Sequence, residues 1–390
     1  MSRAAVVLAA AWIGCNSSSG STQPPPPAKP PIATARPADL QAGAKTYATY
    51  CAPCHAADGK GYTADHAPSL VTSTFLESAT DSFLIDSIEL GRPGTSMAAY
   101  GRASGGPLDG NAVRDLVAWI RAQNPVPVVA AALELPPTGG DATRGHAVFT
   151  TNCEKCHGNE QVRGDFASLS NPRFLASASD AFIYHALVSG RPGTLMVAWQ
   201  PALPAQDIAD VIAYIRSLQR APGINRMPPP TGKEPLFANP TGAPPSFTGH
   251  GDPCPQTDLH CKSDPRFVPA DQVKAALDAG KKLVLIDARN ESEWEVVHVT
   301  GAVSIPYSKM ARLDEIPKDA WIVAYCACPH HLSGLVVDEL EKRGYAHAFV
   351  LDEGINEWQR RGYPIVAAPG TPMPPAEPHR ARPTLAPKPN

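Results

Sequence analysis

At 390 residues the chain is long enough for roughly two to four domains, each with a core of its own. Its 43 prolines, about twice the usual share, fall in tracts that mark seams between domains. A formal net charge of −3 leaves no basic field for nucleic acid and excludes that class of partner.

The opening MSRAAVVLAAAWIGC has Arg3, a short apolar stretch from Ala4 to Ile13, then Gly14 and Cys15. It is too short to span a bilayer as a mature helix and reads as an export signal. It resembles a bacterial lipoprotein signal, in which a cysteine after a small residue is lipidated and becomes the new N-terminus. The resemblance implies that residues 1–15 are a signal peptide with Cys15 as the lipidation candidate, and that the protein is periplasmic and associates with the membrane through that lipid anchor. A soluble exported protein and a retained anchor are the alternatives. Residues 16–37 suit a tether, flexible Ser/Gly first and polyproline after, extending roughly 3 Å per residue.

The next signal is self-similarity. CAPCH at 51–55 recurs as CEKCH at 153–157, and GRPGTSM at 91–97 recurs as GRPGTLM at 190–196, offsets of 102 and 99 residues. Two units follow, 38–124 and 138–220. In each, a glycine and an aromatic precede the first cysteine by eight and four positions: Gly43 and Tyr47, then Gly145 and Phe149. Each unit ends in an amphipathic helix, with Val113, Leu116, Val117 and Ile120 spaced like Ile208, Val211, Ile212 and Ile215. The closing helix is expected to cross the opening one at the small Gly43 or Gly145, with Trp119 and Tyr214 packed there.

CxxCH is the attachment sequence for c-type haem, since two thiols so spaced add to the two vinyl groups of one porphyrin and hold the adjacent histidine beneath the iron. Cys51 with Cys54 and Cys153 with Cys156 are thus haem-attachment candidates, and His55 and His157 the proximal ligands; a disulfide or a zinc site is the bland alternative. Of the six methionines, Met97 alone lies in the first unit and Met196 alone in the second, at one repeat position after a Gly-Pro-Gly turn, which makes them the candidate sixth ligands. His66 and His185 compete but do not correspond in position, and read as surface or pocket histidines. These features resemble the class I cytochrome c family twice over, from Ala38 to Arg220. The resemblance implies two all-α domains, two covalently bound haem c groups and single-electron relay between donor and acceptor proteins that the sequence does not identify. Arg92 and Arg191 are either partners of the haem carboxylates or solvated turn residues.

Residues 221–265 lack any sustained period and read as a Pro/Gly-rich linker. Cys254 and Cys261 are expected to close a short disulfide loop there, a metal site with His260 being the alternative. From 266 to 369 the pattern alternates: strands at 282–289, 302–306, 321–326 and 346–351, with an apolar-periodic helix in LSGLVVDELEKRG before the last strand. Such βα alternation implies a parallel sheet covered by helices, with ligands at the carboxyl ends of its strands. Residues 370–390, Pro-rich, read as a disordered tail.

LIDARNESEWEVVHVTGAVSIP, the strand-loop-helix around YCACPHHLSG and LDEGINEWQRRGYPI resemble the rhodanese-like domain, across Phe267 to Ala368. The resemblance implies an α/β fold in which the cysteine ending the strand, here Cys326, carries a persulfide as nucleophile. Loop amides and a helix N-terminus favour such an anion whatever the family. Cys328, His330 and His331 are supporting candidates: the thiol as a second sulfur, the imidazoles as cations near neutral pH. Relative to the family the loop is one residue longer, Ser333 follows the cysteine by seven instead of six, and Pro329, His330 and His331 stand where a glycine and a cation are usual. A degenerate domain without catalysis is the competing reading. Two functions follow: a dihaem electron-transfer protein with a sulfur-binding module, or a sulfurtransferase or sulfur-compound oxidoreductase that uses the haems as acceptor for a small sulfur species.

Overall fold

The computed structural model describes residues 36–61, 67–129, 139–160, 164, 166–221, 223, 225–247, 265–327 and 331–371. Cys15 and the signal, His66, Cys254, Cys261, His260, Cys328, His330 and nearly all of the tail lie outside the described residues.

The first unit is built from α1 (Leu40–Tyr50), α2 (Ala52–His55), α3 (Ser73–Ser78), α4 (Asp81–Leu90) and α5 (Gly110–Gln123), and the second repeats it as α6 (Ala142–Asn152), α7 (Glu154–His157), α8 (Pro172–Ser177), α9 (Asp180–Ser189) and α10 (Ala205–Ser217). Each opening helix starts where an aspartate side chain accepts from two amides of the first turn, Asp39 in α1 and Asp141 in α6. A second aspartate on each closing helix then holds that cap in place. The Asp39 amide donates to Asp115 at 3.0 Å and the Asp141 amide to Asp210 at 2.7 Å.

The crossings expected from the sequence are made. A Cβ on Gly43 would lie 2.3 Å from the Asp115 carbonyl oxygen, and one on Gly145 1.9 Å from that of Asp210, so only glycine lets the helices approach this closely. Tyr47 meets Trp119 with ring centroids 4.3 Å apart, and Phe149 meets Tyr214 at 5.1 Å. The apolar stripes of α5 and α10 are buried along their length. Each such side chain contributes roughly 1.5–3 kcal/mol.

The two units join through phenylalanines. Phe83 of α4 stacks on Phe182 of α9 at 4.5 Å, while Phe75 and Phe174 meet these rings edge-on. α3 packs against α9 and α4 against α8, one pseudo-symmetric joint between repeats.

The third domain runs β1 (Phe267–Val268), α11 (Ala270–Asp278), β2 (Val284–Asp287), α12 (Glu291–Trp294), β3 (Val297–Val299), β4 (Val303–Ser304), β5 (Ile322–Tyr325), α13 (His331–Lys342), β6 (Ala348–Leu351), α14 (Gly354–Arg360) and β7 (Ile365–Ala367). Its main sheet has the order β1-β6-β5-β2-β4 with all pairs parallel. β2 and β5, at its centre, are buried at every position, the reason both read as continuous apolar runs. Alongside lies a small antiparallel pair, β3 with β7, which the βα pattern does not reveal.

The segment read as a linker is no loose tether over 225–247. Phe247 packs edge-on against Trp321 and Phe349, Leu236 and Phe237 pack on the sheet's core, and the Ala238 amide donates to the Leu283 carbonyl at 3.0 Å. Proline keeps this strap extended, so its apolar anchors are too widely spaced to register as a period.

Candidate functional site

Three cysteine-bearing sites stand on this frame. In the first unit the chain leaves α1 at Cys51 and turns directly into α2, which carries Cys54 and His55. His55 is buried, and its Nδ1 lies 2.9 Å from the Pro68 carbonyl oxygen. A carbonyl only accepts, so Nδ1 holds the proton and Nε2 keeps its lone pair, the form that ligates a metal. In the second unit His157 Nδ1 lies 2.7 Å from the Ala167 carbonyl oxygen, with the same consequence. Burial lowers the pKa of both imidazoles. It pushes the Cys51 thiol up to about 12 and the Cys153 thiol up to about 11.

The methionine loops are superimposable in their bonding. The Arg92 amide donates to the Met97 carbonyl at 2.8 Å, Thr95 Oγ1 donates to the Arg92 carbonyl, and the Met97 amide donates to Thr95 Oγ1 at 3.0 Å. Arg191, Thr194 and Met196 repeat the three bonds. Gly91 (φ +63°) and Gly190 (φ +62°) turn each chain so tightly that a Cβ would meet the backbone of Ala98 and Ala99, or of Met196 to Ala198, at under 3 Å. Met97 and Met196 are half-buried on the same apolar cluster as Tyr47 and Phe149.

This set fits covalently held haem. None of the four motif cysteines is joined in a disulfide, both imidazoles present an unprotonated Nε2, and a thioether reaches the core of each unit. Among the described residues no group of three His, Cys, Asp or Glu side chains is placed to hold a metal ion.

Arg92 and Arg191 are not solvated turn arginines. Each crosses the joint between the units: Arg92 Nη2 donates to Ser177 Oγ at 3.2 Å, and Arg191 donates to the Thr74 carbonyl at 3.0 Å and to Ser78 Oγ at 3.1 Å. Burial among the phenylalanines lowers both guanidinium pKa values to about 10. His185 is likewise buried, in keeping with the pocket alternative, with Nε2 3.3 Å from Glu77 of the other unit.

In the third domain Cys326 directly follows β5 and is 1% exposed. Its Sγ lies 3.4 Å from Ser333 Oγ on α13, so the serine reaches the sulfur despite the longer loop. Gly354 (φ +67°) packs against the Cys326 carbonyl, which accepts from the Ile355 amide at 2.9 Å. His331 opens α13, where the helix directs its positive end toward the loop.

Sequence reasoning missed the polar network beneath this cysteine. Arg289 donates to both Asp287 oxygens at 2.9 and 2.7 Å, and Tyr325 donates to Asp287 Oδ2 at 2.9 Å while accepting the Val299 amide. Glu293 lies 3.7 Å from Arg289; burial pushes its carboxyl up to about 8, the Arg289 cation opposes the shift, and Asp287 and Cys326 add to it. The signal was present as Asp287 ending a strand buried on both faces, followed within six positions by Arg289 and Glu293.

The sulfur site and the first CxxCH motif adjoin. α13 packs against α2, and Tyr50 and Cys54 lie against the core cluster that contains Cys326, Leu332 and Tyr307. The Tyr50 ring stands 6.0 Å from Tyr100 and 6.4 Å from Tyr307. Burial raises the pKa of both Tyr100 and Tyr307, with Cys51 and Cys54 among the groups adding to it. Ser292 Oγ of α12 donates to the Ala99 carbonyl at 2.7 Å, two residues past Met97, and Arg226 of the strap holds Ser292 and Glu295 from behind.

Residues 38–120 and 140–215 match the family described as cytochrome c oxidase, cbb3-type, subunit III, and residues 269–361 match the rhodanese-like domain. The chain is a cytochrome c fused to a rhodanese-like domain. It therefore carries an electron-transfer part, which implies covalently bound haem c, and a sulfurtransferase-type domain. Cbb3-type cytochrome c oxidase subunit FixP of Bradyrhizobium diazoefficiens is 27% identical over 188 residues, 45% of this chain and 60% of the relative. Subunit CcoP of Azospirillum is 26% identical over 197 residues, 45% of this chain and 62% of the relative. The probable adenylyltransferase/sulfurtransferase MoeZ of Mycobacterium tuberculosis is 36% identical over 91 residues, 23% of each chain. This cytochrome–rhodanese chain thus spans under two thirds of each relative, and no helix among its described residues is long and apolar enough to cross a membrane.

Proposed function

We propose that the protein is an exported dihaem electron-transfer protein whose rhodanese-like domain binds a small sulfur species on Cys326 and delivers the electrons of its oxidation to the haem nearest it. Cys51 and Cys54 hold one haem with His55 and Met97 on the iron, and Cys153 and Cys156 hold the second with His157 and Met196. The observation that carries the coupling is the packing of α13 on α2, which sets the Cys326 site against the first attachment motif. A Cys15 lipid anchor would keep this body at a membrane surface.

Each bound haem accepts one electron, so two per chain match the pair released when a sulfur–sulfur bond forms. With sulfide the balance is one Cys326 thiol plus one hydrosulfide giving a Cys326 persulfide anion, two electrons and two protons. Ser333 Oγ, 3.4 Å from the sulfur, orients it, and the positive end of α13 favours the persulfide anion. Cys328, His330 and His331 are the loop groups proposed to assist. A second reading, sulfur transfer without electron transfer, draws on the same Ser333 contact and on the likeness to MoeZ.

Anaerobic titration of the oxidised, haem-loaded full chain with sulfide, thiosulfate or polysulfide tests this. Haem absorbance is expected to shift to the reduced form with at least one donor, and Cys326→Ser to abolish the shift. No change with any donor, or an unaffected Cys326→Ser protein, overturns the coupling. Added sulfur on Cys326 by mass spectrometry without haem reduction supports the transfer reading instead.

A further inference from the structure

Hydrogen bonds that cross the joint between the two helical units converge on the two methionine loops. In the loop of the first unit, Arg92 Nη2 donates to Ser177 Oγ on α8 at 3.2 Å, and the Pro93 carbonyl accepts from Asn171 Nδ2, just before α8, at 2.8 Å. In the loop of the second, Arg191 donates to the Thr74 carbonyl at 3.0 Å and to Ser78 Oγ at 3.1 Å, both on α3 of the first unit. The offset of 99 residues that relates Met97 to Met196 also relates Arg92 to Arg191 and Ser78 to Ser177. The exchange is therefore reciprocal.

Within each loop the same arginine is tied to the methionine. The Arg92 amide donates to the Met97 carbonyl at 2.8 Å and the Arg191 amide to the Met196 carbonyl at 2.7 Å, so a shift of either arginine pulls on the backbone of the thioether residue. Asn171 is 7% exposed and is engaged at both ends: its Oδ1 accepts from the Arg173 and Phe174 amides at the start of α8 while its Nδ2 reaches Pro93. The Phe83 and Phe182 rings lie 5.4 and 5.3 Å from the Arg92 and Arg191 guanidiniums and confine both side chains to the joint.

We propose that Asn171, Ser177, Ser78 and the Thr74 carbonyl position the axial methionine of the opposite unit. α8 of the second unit sets how firmly Met97 holds its iron, and α3 of the first sets how firmly Met196 does. This presupposes Met97 and Met196 as iron ligands, as proposed above, and adds that neither is fixed by its own unit alone. Since a methionine ligand raises the potential, loosening it lowers the potential, and each unit thereby tunes the site in the other.

The test uses the oxidised, haem-loaded full chain. Met196→His leaves Met97 as the source of the methionine–iron charge-transfer band, Met97→His does the reverse, and imidazole is titrated against the band that remains. With Met196→His, Ser177→Ala and Asn171→Asp are each expected to lower the imidazole concentration that displaces half of the Met97 band about fivefold, the factor lent by one lost hydrogen bond, and Ser78→Ala to leave it unchanged. With Met97→His, Ser78→Ala is expected to weaken Met196 to a similar degree, and Ser177→Ala and Asn171→Asp to have no effect. Asn171→Asp keeps the oxygen that caps α8 and loses the donor to Pro93, so it acts without unravelling the helix. The midpoint potential of the loosened site should fall in parallel. Silent variants overturn the proposal, as does a variant that loosens the methionine of its own unit or both methionines equally, which is what a general weakening of the joint would produce. A wild-type protein without the band overturns the ligand assignment and this proposal together, whereas a band indifferent to all three variants overturns this proposal alone.

Discussion

Replacing Gly43 by alanine should destabilise the first cytochrome unit although alanine is the better helix former. The added Cβ would lie 2.3 Å from the Asp115 carbonyl oxygen and 2.8 Å from Trp119 Cβ, against an ordinary contact of at least 3.4 Å. The obstacle is backbone and cannot rotate away, so α1 and α5 must separate by about 1 Å, and the Asp39 amide bond to Asp115 stretches with them. Overpacking of this kind costs roughly 1–3 kcal/mol, and the helix propensity of alanine returns about 1 kcal/mol. With a backbone clash at the upper end of that range, the net loss should be ~2 kcal/mol. Because Cys51 follows α1 immediately, the shift also reaches the attachment motif, and haem incorporation should fall. Gly110→Ala is the control: it opens α5 with nothing within 4 Å of its Cβ and should be neutral or stabilising. Far-ultraviolet circular dichroism during urea unfolding would measure both. If Gly43→Ala matches wild type within about 0.5 kcal/mol, the close crossing is not what positions α1.

Other perturbations bear on the third domain and its contact with the first unit. Tyr325→Phe removes the acceptor of the buried Val299 amide and one of the donors to Asp287, which keeps its bonds from Arg289; a loss of roughly 1–3 kcal/mol in unfolding free energy is expected from urea unfolding, and a silent variant would refute the network. Glu293 holds its proton to about pH 8 when folded but releases it near pH 4.5 when unfolded. Its contribution to stability is therefore complete below about pH 4.5 and is lost as pH climbs toward 8, so Glu293→Gln should flatten the decline in unfolding midpoint between pH 5 and pH 8. Ser292→Ala removes the bond to the Ala99 carbonyl, worth about 1 kcal/mol, and should raise hydrogen exchange at 98–101 while leaving the equivalent segment of the second unit unchanged.

Periodicity and repetition made most of the fold legible. The i, i+3, i+4, i+7 stripes on α5 and α10 and the paired glycines located the crossings, because one face of each helix must meet a single neighbour. β2 and β5 were visible for the opposite reason: buried on both faces, they have no polar positions to interrupt the run. The repeated Met97 and Met196 stood out only by comparing the units, since a lone methionine in a turn carries no signal. What did not show was everything joining elements distant in the chain. Arg92 and Arg191 look like turn residues locally, and only the neighbouring unit supplies Ser177, Thr74 and Ser78 to receive them.

The same limit explains why the first methionine loop, covered by the third domain, and the second, open to solvent, could not be told apart in advance. Ser292 finds the Ala99 carbonyl across 193 positions, and no local pattern encodes such a pairing. Yet side-chain size at the repeat positions is consistent with it. After the shared methionine the first unit has two alanines, small enough for the α12 serine to reach the backbone, whereas the second has Val197 and Ala198. A γ-branched leucine before Met196, where the first unit has Ser96, adds apolar area that folding leaves in water. Exposing Leu195 and Val197 brings no stability to the monomer. The divergence of one duplicated loop into a small-residue version beneath a domain and a large apolar version facing solvent follows the covering domain, since only the first loop must admit the Ser292 side chain to its backbone.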